Sequence, residues 1–385
     1  MRRVYLDHAA TTPVDPRVLK KMLPCFSECF ANPESQHSFG RAAADAADAA
    51  RDTIAKAIGA KSSEIYFTSG GTESCNWALR GYMRANAERG RHFIVSAAEH
   101  PAVLETAKDL EREGFSCSVA GVDAFGRTDV SALRGLIRED TVLVAVMAAN
   151  NETGTVQPVK QIAALAHACG AAFFTDVVQA AGVLPVDVNE WGADMLAFSS
   201  HKFYGPKGAG VLFVRTGTRL GRFVAGGHQE RGLRGGTTNV AGVAGMAEAL
   251  ALAVEEREEN ALRVKAVRDR FLDRVLKEIP RVTLNGHPAE RLPGNANLCF
   301  HGVGAEQLLA ALDLKGIAAS AGSACTSGSP EPSHVLLAMG LSAEDAKSSL
   351  RFTFGKDNTA EDADYAADTL KTLVGRLRDY AGEKE

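Results

Sequence analysis

Short apolar runs alternate with helical segments between residues 64 and 214, and this alternation constrains the fold more than any other feature. It predicts strands at Glu64–Thr68, His92–Ser96, Thr141–Met147, Ala171–Thr175, Met195–Phe198 and Gly210–Val214. It predicts helices at Glu73–Tyr82, Pro101–Glu113 and Pro158–Cys169. Continuously apolar strands joined by helices are typical of a mostly parallel sheet that is covered on both faces. We therefore predict an α/β fold whose large domain contains such a sheet.

The segment Val243–Ile279 has helical character over more residues than one ordinary helix, and we interpret it as a bridge between domains. The shorter strands and helices that follow predict a smaller α+β domain. The expected division is a large domain at residues 15–255 and a small domain formed by residues 1–14 and 256–385. The small domain would then include the N-terminal strand.

Composition narrows the possible partners and the compartment. The 385 residues carry a net charge of -4 without a long block of one sign, so neither nucleic acid nor an anionic membrane is an expected partner. The N-terminus lacks the apolar core of a signal peptide, which favours a cytoplasmic protein. The seven cysteines are scattered without a Cys-x-x-Cys pair, so we expect neither disulfides nor a metal site.

Lys202 follows the apolar run Met195–Phe198 and stands among small polar residues, before Gly205 and Pro206. This position at the exit of a strand suits a lysine that forms a Schiff base with a cofactor. Such a lysine must spend time as the neutral amine, although its ordinary pKa is about 10.4. The alternative is a solvated loop lysine.

The segment from Tyr66 to Ser74 predicts a strand, a glycine turn and the start of a helix. Backbone N–H groups at Gly71 and Thr72 would face a phosphate, and Thr72 would also cap the helix. The chain contains neither GxxxxGK[ST] nor GxGxxG, so the usual nucleotide-binding motifs are absent. A capped helix without a ligand remains the alternative.

Four further polar residues follow predicted strands. Asp176 and Gln179 would point into the crevice beyond the strand ends, where a carboxylate could hold a protonated ring nitrogen of a cofactor. His100 could stack on a flat cofactor and exchange protons, and the amide of Asn151 could bind a cofactor or substrate oxygen. The alternatives are a helix cap for Asp176, a structural histidine for His100 and a simple turn for Asn151.

Cys325 lies in a loop rich in Gly, Ser and Pro, which is an unusual place for a buried structural cysteine and indicates a reactive thiol. Arg351 alternates with Leu350 and Phe352 and so projects from the other face of its strand. There it could bind a substrate carboxylate in a bidentate manner, or it could be a surface arginine.

Taken together, these residues resemble the cysteine desulfurases, which are fold-type I pyridoxal-phosphate enzymes, and in particular the group with an SGSACTS loop. The resemblance covers essentially the whole chain and rests on ten segments in the family's order: YLDHAATTP, NPESQHSFGR, TSGGTES, EHPAV, NNETG, TDVVQ, SSHKFYGPKG, RGGTTN, GSACTSGSPEPSH and LRFTFG. Two departures are His8, where many relatives have Asn, and Ser320-Ala321 in place of a Ser pair. Neither affects a catalytic role.

The resemblance implies a role for each candidate residue. Lys202 would bind pyridoxal 5'-phosphate covalently, His100 would stack on its ring, and Cys325 would be the nucleophile. Asp176 and Gln179 would contact the ring nitrogen and the phenolic oxygen, while Asn151 and Arg351 would place the substrate. The phosphate would be held by Gly71, Thr72, Ser199, His201 and, from the second subunit of a homodimer, Thr237.

The implied reaction converts L-cysteine into L-alanine and leaves sulfur on the enzyme as a persulfide. The sulfur would pass to an acceptor such as an iron–sulfur scaffold or a tRNA-thiolation protein. Another pyridoxal enzyme, such as a selenocysteine lyase or an aminotransferase, would share Lys202 and Asp176 but would have no evident use for Cys325 in transamination. A non-catalytic binding module would leave these residues without a role.

Overall fold

A computed structural model describes residues 2–321 and 331–381. The strands are β1 Val4–Tyr5, β2 Ile65–Thr68, β3 His92–Ser96, β4 Ser116–Ala120, β5 Thr141–Ala145, β6 Ala172–Asp176, β7 Met195–Ser199, β8 Gly210–Val214, β9 Val282–Asn285, β10 Asn295–Phe300, β11 Ile317–Ala318 and β12 Ser349–Thr353.

The helices are α1 Pro16–Met22, α2 Pro24–Ser27, α3 Ser38–Ala57, α4 Gly71–Ala85, α5 Pro101–Arg112, α6 Val130–Gly135, α7 Val159–Ala168, α8 Val188–Trp191, α9 Val240–Glu255, α10 Arg257–Glu278, α11 Ala305–Asp313, α12 His334–Ala338, α13 Ala343–Lys347 and α14 Ala360–Ala381.

The main sheet has seven strands in the order β2-β8-β7-β6-β5-β3-β4. All neighbouring pairs are parallel except those made by β8, which runs antiparallel to both β2 and β7. The expected mostly parallel sheet is therefore confirmed. Strands β3 and β8 have the bounds that the apolar runs predicted, and the other predicted strands differ by a few residues at their ends.

Both faces of this sheet are buried. Successive residues of one strand contribute to different hydrophobic clusters: Phe173 packs with Ile94 and Leu196 on one face, and Phe174 packs with Val95 and Met195 on the other. This is the expected result of the two-residue side-chain period of a strand. It explains why the strands of this sheet are continuously apolar.

A second unit is built on the antiparallel sheet β12-β10-β9, against which α10, α11 and α14 pack. The N-terminal strand β1 pairs in parallel with β11, and Val4 and Leu6 are buried in the same hydrophobic cluster as Phe271 and Phe352. This pairing and packing support the proposed assignment of the N-terminal strand to this unit.

The predicted helical bridge consists of two helices that meet at Glu256. Before this residue, Val243 and Met246 of α9 pack into the core of the main sheet. After it, Val264 and Phe271 of α10 pack into the core of the second unit. The domain limits themselves remain our proposal, and this change of packing partner supports them.

Within residues 2–321 and 331–381, no helix combines the length and the apolar character that a membrane span needs. The six cysteines that lie in these ranges are free thiols.

Candidate active site

Several of the predicted site residues lie at one edge of the main sheet. Strands β3, β5, β6 and β7 run in the same direction, so their carboxyl ends share this edge. Asp176 and Ser199 are the last residues of β6 and β7, and His100 follows β3 by four residues. Open α/β sheets bind ligands in this crevice.

Lys202 occupies a short 3-10 turn, Ser200–Lys202, directly after β7. Its Nζ donates to the carbonyl oxygens of Ala9, at 2.6 Å, and Ala10, at 2.8 Å. The side chain is partly buried and held by the N-terminal segment, which rules out a solvated loop lysine. A Cβ at Gly205 would overlap the Ser200 side chain, so the turn that presents Lys202 requires glycine there.

Asp176 is 5% exposed and has two hydrogen-bond partners among the described residues. Its Oδ1 accepts from the Val178 N–H at 2.8 Å, and the Cys75 thiol approaches Oδ2 at 3.7 Å. Burial raises the pKa of the carboxyl group, while the charges of His100 and Lys202 oppose this shift. A carboxylate in this position suits a cationic partner such as a protonated ring nitrogen. No helix begins here, so the alternative of a helix cap is wrong.

His100 is the N-cap of α5, and its Nδ1 accepts from the Ala102 N–H at 3.1 Å. This hydrogen bond places the ring proton of the neutral imidazole on Nε2. Burial lowers the pKa of His100, the Asp176 charge opposes this shift, and the Lys202 charge reinforces it. His100 can therefore have both a structural role and a cofactor-facing role, because the same ring caps α5 and lies beside Asp176 and Lys202.

Gln179 donates from Nε2 to the Ala9 carbonyl at 3.0 Å. The same carbonyl accepts from Lys202, so the Ala9 oxygen links the two side chains. The amide group of Gln179 is thereby fixed beside the lysine.

The N-terminus of α4 has the features of a phosphate cradle. The N-cap residue is Gly70, which makes no side-chain capping bond, so the first turn presents backbone donors. A Cβ at Gly71 would lie 2.7 Å from Cγ2 of Val178 and 3.6 Å from the Cβ of Ser199, so glycine allows close packing. The prediction that Thr72 caps the helix is wrong, because Thr72 is already the second helical residue.

His201 lies near this cradle and contacts Thr11 Oγ1 through Nδ1 at 3.1 Å. Burial lowers its pKa to about 4, and the charges of Lys202 and Lys207 contribute. Ser199 is buried at the end of β7. A neutral imidazole and a hydroxyl group can both donate to a phosphate oxygen, so this donor set fits the group.

Arg351 is buried, with 4% of its side chain exposed, so the alternative of a surface arginine is wrong. Its Nη1 donates to the Asn151 carbonyl at 2.9 Å and its Nη2 to Asp7 Oδ1 at 2.8 Å. Nε is buried and has no hydrogen-bond partner among the described residues. The guanidinium thus joins Asn151 to the N-terminal segment and keeps one donor available.

Cys325 lies outside the described residues, so its predicted role stays a prediction. Its segment is attached at both ends near the site. Ser320 exchanges backbone hydrogen bonds with Arg351, of 3.1 and 2.6 Å. On the other side, Ser333 donates to Glu152 Oε2 at 2.5 Å and His334 Nε2 contacts the Glu99 carbonyl at 2.9 Å.

Thr237 is exposed and stands in the segment before α9. Within one chain it is not brought to the other candidate residues by any hydrogen bond that the described residues make. A contribution to a second subunit's site stays a prediction.

Several residues at the site were not predicted from the sequence: Asp7, Ala9, Ala10, Cys75, Glu152, Ser333 and His334. Ala9 and Ala10 act through backbone carbonyls, which leave no signal in the sequence. Asp7 had a local signal, since it is a charged residue directly after an apolar strand.

A sequence profile of the aminotransferase class-V family matches residues 4–366. The cysteine desulfurase IscS of Dictyoglomus turgidum is 46% identical over 384 residues, covering 100% of this chain and 98% of that protein. The cysteine desulfurase IscS of Methanosarcina thermophila is 46% identical over 380 residues, covering 99% and 94%.

Solved structures agree with this relationship. A NifS-like protein superposes with a TM-score of 0.92 at 36% identity and covers 98% of this chain and 100% of its own. SspA in complex with cysteine superposes with a TM-score of 0.81 at 34% identity and covers 92% and 100%. The fold-type I aminotransferase-like architecture is thereby confirmed. The chain belongs to the aminotransferase class-V family and, within it, to the cysteine desulfurases.

Proposed function

We infer that this chain is a pyridoxal-phosphate-dependent cysteine desulfurase that converts L-cysteine into L-alanine. The observation that carries this inference is the convergence of Lys202 and the buried carboxylate of Asp176 at the carboxyl edge of the sheet. The full-length identity to cysteine desulfurases supports the same reaction.

The residues present suit pyridoxal 5'-phosphate. Lys202 would hold the cofactor aldehyde covalently, Asp176 would keep the ring nitrogen protonated, and His100 would lie against the ring. Gln179 would contact the phenolic oxygen. The phosphate would be held by Gly71, Thr72, Ser199, His201 and the Thr237 of a second subunit. When bound, pyridoxal phosphate supplies an electron sink for the substrate α-carbon.

Arg351 and Asn151 would orient the substrate. The guanidinium is already fixed by Asp7 and by the Asn151 carbonyl, which limits the freedom it would lose on binding a carboxylate. His100 is neutral, so its Nε2–H can donate to a substrate or cofactor atom without an additional buried positive charge. These groups position the substrate rather than form bonds with it.

Cys325 would carry the sulfur. Its thiolate attacks the substrate sulfur, the carbon–sulfur bond breaks, and the electron pair of that bond stays with carbon, which is then protonated to give alanine. A persulfide remains on Cys325 and passes to an iron–sulfur scaffold or a tRNA-thiolation protein. The anchoring of both flanks of this segment near Arg351 and Glu99 supports the role.

The active assembly would be a homodimer in the cytoplasm. Support for the dimer comes from exposed apolar side chains near the N-terminus: Leu19, Leu23, Phe26, Phe30 and Phe39. A dimer would bury such a surface. The free thiols at the six described cysteines are typical of a reducing compartment.

The test begins with the visible spectrum of the purified protein, followed by alanine and sulfide assays with L-cysteine and a reductant. Alkylation after one turnover and mass spectrometry should place the persulfide on Cys325. Cys325→Ser should lose alanine formation but keep the cofactor colour, whereas the half-buried Cys29→Ser, its matched control, should keep both.

A colourless protein would support a non-catalytic binding module. A Cys325→Ser variant that forms alanine from cysteine at the original rate would contradict the desulfurase mechanism and would favour another pyridoxal reaction.

A further inference from the structure

A cluster of three metal-ligand side chains lies in the second unit, apart from the residues of the proposed active site. Cys299 is buried near the end of β10, His301 follows that strand, and Asp345 belongs to α13. The Cys299 Sγ lies 3.6 Å from His301 Nδ1 and 3.7 Å from Asp345 Oδ1. His301 Nδ1 and Asp345 Oδ1 are 2.7 Å apart. Three donor atoms of different chemistry thus face one point.

Local structure directs each donor atom to this point. Cys299 and His301 are two residues apart at the end of a strand, a spacing that places side chains on the same side. Ser342 caps α13 and donates to Asp345 Oδ2 at 2.9 Å, which turns Oδ1 towards the cluster. These orientations therefore do not depend on the bond between His301 and Asp345.

The His301 ring is fixed from its other nitrogen. Nε2 contacts the Thr283 hydroxyl at 3.1 Å, so Nδ1 is the nitrogen that faces Cys299 and Asp345. A hydroxyl group can donate to Nε2 or accept from it, so Thr283 accommodates either tautomer. An outer hydrogen bond of this kind is what orients a metal-binding histidine.

The arrangement does not fit a second nucleophilic cysteine. In a catalytic triad the histidine lies between the nucleophile and the carboxylate. One imidazole nitrogen contacts the nucleophile and the other contacts the carboxylate. Here Cys299 and Asp345 contact the same nitrogen, Nδ1. The three groups therefore do not form such a triad in this geometry.

Two of the three distances between the donor atoms agree with a tetrahedral zinc site. With bonds of about 2.3 Å to sulfur and about 2.0 Å to nitrogen and oxygen, tetrahedral zinc places sulfur about 3.5 Å from each of the other two donors. The observed distances are 3.6 and 3.7 Å. The distance between His301 Nδ1 and Asp345 Oδ1 would lengthen from 2.7 Å to about 3.3 Å, because the ion would replace their hydrogen bond.

We propose that Cys299, His301 and Asp345 bind one zinc ion, with water as the fourth ligand. The ion has a route to the site because 32% of the His301 side chain and 36% of the Asp345 side chain are exposed, with Cys299 beneath them. The expectation of no metal site rested on paired cysteines. This donor set contains one cysteine, and its third ligand stands 44 residues beyond the histidine.

The site lies close to the strand that carries Arg351. Cys299 pairs with Ser349 in the antiparallel sheet, and the Ser349 hydroxyl donates to the Asp345 carbonyl at 2.8 Å. Ser349 precedes Arg351 by two residues in β12. An ion bound here would stabilise β12, the strand that contains the predicted substrate-binding residue Arg351.

Cobalt titration of the full-length, cofactor-loaded Cys325→Ser protein tests the proposal, because this background removes the loop thiol as a competing ligand. We expect one equivalent of Co²⁺ per chain to give the visible ligand-field bands of a tetrahedral site and a thiolate charge-transfer band, both abolished by Zn²⁺. Adding Cys299→Ala should abolish the charge-transfer band. Adding Cys29→Ser, the matched control, should leave it unchanged.

Two further variants separate ligation from folding. Asp345→Asn keeps the shape of a partly exposed side chain and should weaken Co²⁺ binding at least about tenfold, while Thr283→Val should weaken it by about 10- to 100-fold. Circular dichroism and the cofactor absorbance verify that each variant is folded. The proposal is overturned if no tetrahedral cobalt spectrum develops, or if the spectrum survives both Cys299→Ala and Asp345→Asn.

Discussion

Arg351 donates to Asp7 Oδ1 across 2.8 Å, which joins residues that are 344 positions apart in the sequence. The pair is largely shielded from water, since 4% of the arginine and 19% of the aspartate side chain are exposed. A shielded pair orients the guanidinium more firmly than a surface ion pair does. Asp7 is therefore a positioning residue for the proposed substrate contact.

Arg351→Lys should raise KM for cysteine by about 10- to 100-fold, because a lysine cannot reproduce the forked hydrogen bonds and a charged hydrogen bond contributes about 1.5–3 kcal/mol. The kcat should change less, since no bond is made to this residue. Steady-state alanine formation measures both constants. Asp7→Asn should give a smaller rise in KM, and a KM within about twofold of the parent for Arg351→Lys would contradict the substrate role.

Lys202→Ala should abolish turnover and covalent attachment of the cofactor. Borohydride reduction followed by peptide mapping should locate the adduct on Lys202 in the parent protein. Lys207→Ala is the matched control, because Lys207 is exposed and five residues away, and it should keep both properties. An adduct on Lys207, or none on either lysine, would refute the assignment.

Asp176→Asn should stabilise the cofactor-free protein and should weaken cofactor binding. Burial raises the pKa of this carboxyl, so the ionised form destabilises the free fold. The stabilisation by Asn should be largest at neutral pH and should vanish as pH falls towards the unfolded pKa of about 3.9. Cofactor affinity should fall at least about tenfold, since a charged hydrogen bond is lost.

Chemical denaturation across this pH range and cofactor titration by absorbance measure the two effects of Asp176→Asn. A variant that binds the cofactor as tightly as the parent would exclude Asp176 as the partner of the ring nitrogen. A variant less stable than the parent when free of cofactor would show that the hydrogen bonds of the carboxylate outweigh the cost of burying its charge.

His201→Gln should reduce the acid sensitivity of the cofactor-free protein. The folded pKa is about 4. The unfolded value is about 6.5, so between these values the unfolded state binds an additional proton and stability falls as pH falls. The denaturation midpoint should therefore drop less for the variant than for the parent between about pH 7 and about pH 5.

Burial also lowers the pKa values of His8, His92 and His100, and these histidines will leave part of the pH dependence in place. His228→Gln, at an exposed position, is the matched control and should follow the parent. Equal pH profiles for His201→Gln and the parent would count against burial of a neutral His201.

Thr237→Val should weaken cofactor binding by about two- to tenfold, the usual effect of one lost hydrogen bond, if its hydroxyl reaches the phosphate of a neighbouring subunit. Sedimentation should show a dimer for the parent and the variant. Thr238→Val serves as the neighbouring control. A fully active monomer at assay concentration would remove Thr237 from the site.

Much of the site could be predicted because its side chains follow apolar strands. Asp176 and Lys202 each stand where such a run ends, and that position alone brings them to the same edge of the sheet. The alanine-rich run Arg41–Gly59 predicts a helix, but α3 begins three residues earlier, at Ser38. Its N-cap is His37, whose Nδ1 accepts from the Gly40 N–H at 3.1 Å, and histidine is not among the usual caps.

The rest of the site could not be predicted, because it depends on contacts between distant residues that no local sequence pattern reveals. The pairing of Asp7 with Arg351 and the approach of the Ala9 carbonyl to Lys202 join distant segments, and a backbone oxygen has no residue type that would reveal it. Burial also decides the charge of His100 and His201. The surroundings of a side chain are a property of the finished fold.

The placement of the N-terminal segment has a consequence for the order of biosynthesis. Ala9 and Ala10, which hold Lys202, are made before the lysine. Their segment is fixed in space by partners that are made after the whole main sheet. Val4 pairs with Ile317, and the Leu6 carbonyl accepts from the Thr353 N–H at 2.7 Å. Contacts of such separation form late, after the local elements of the main sheet. The nascent chain can therefore present its lysine well before it can enclose it, and the pocket is complete only after Thr353 has been made.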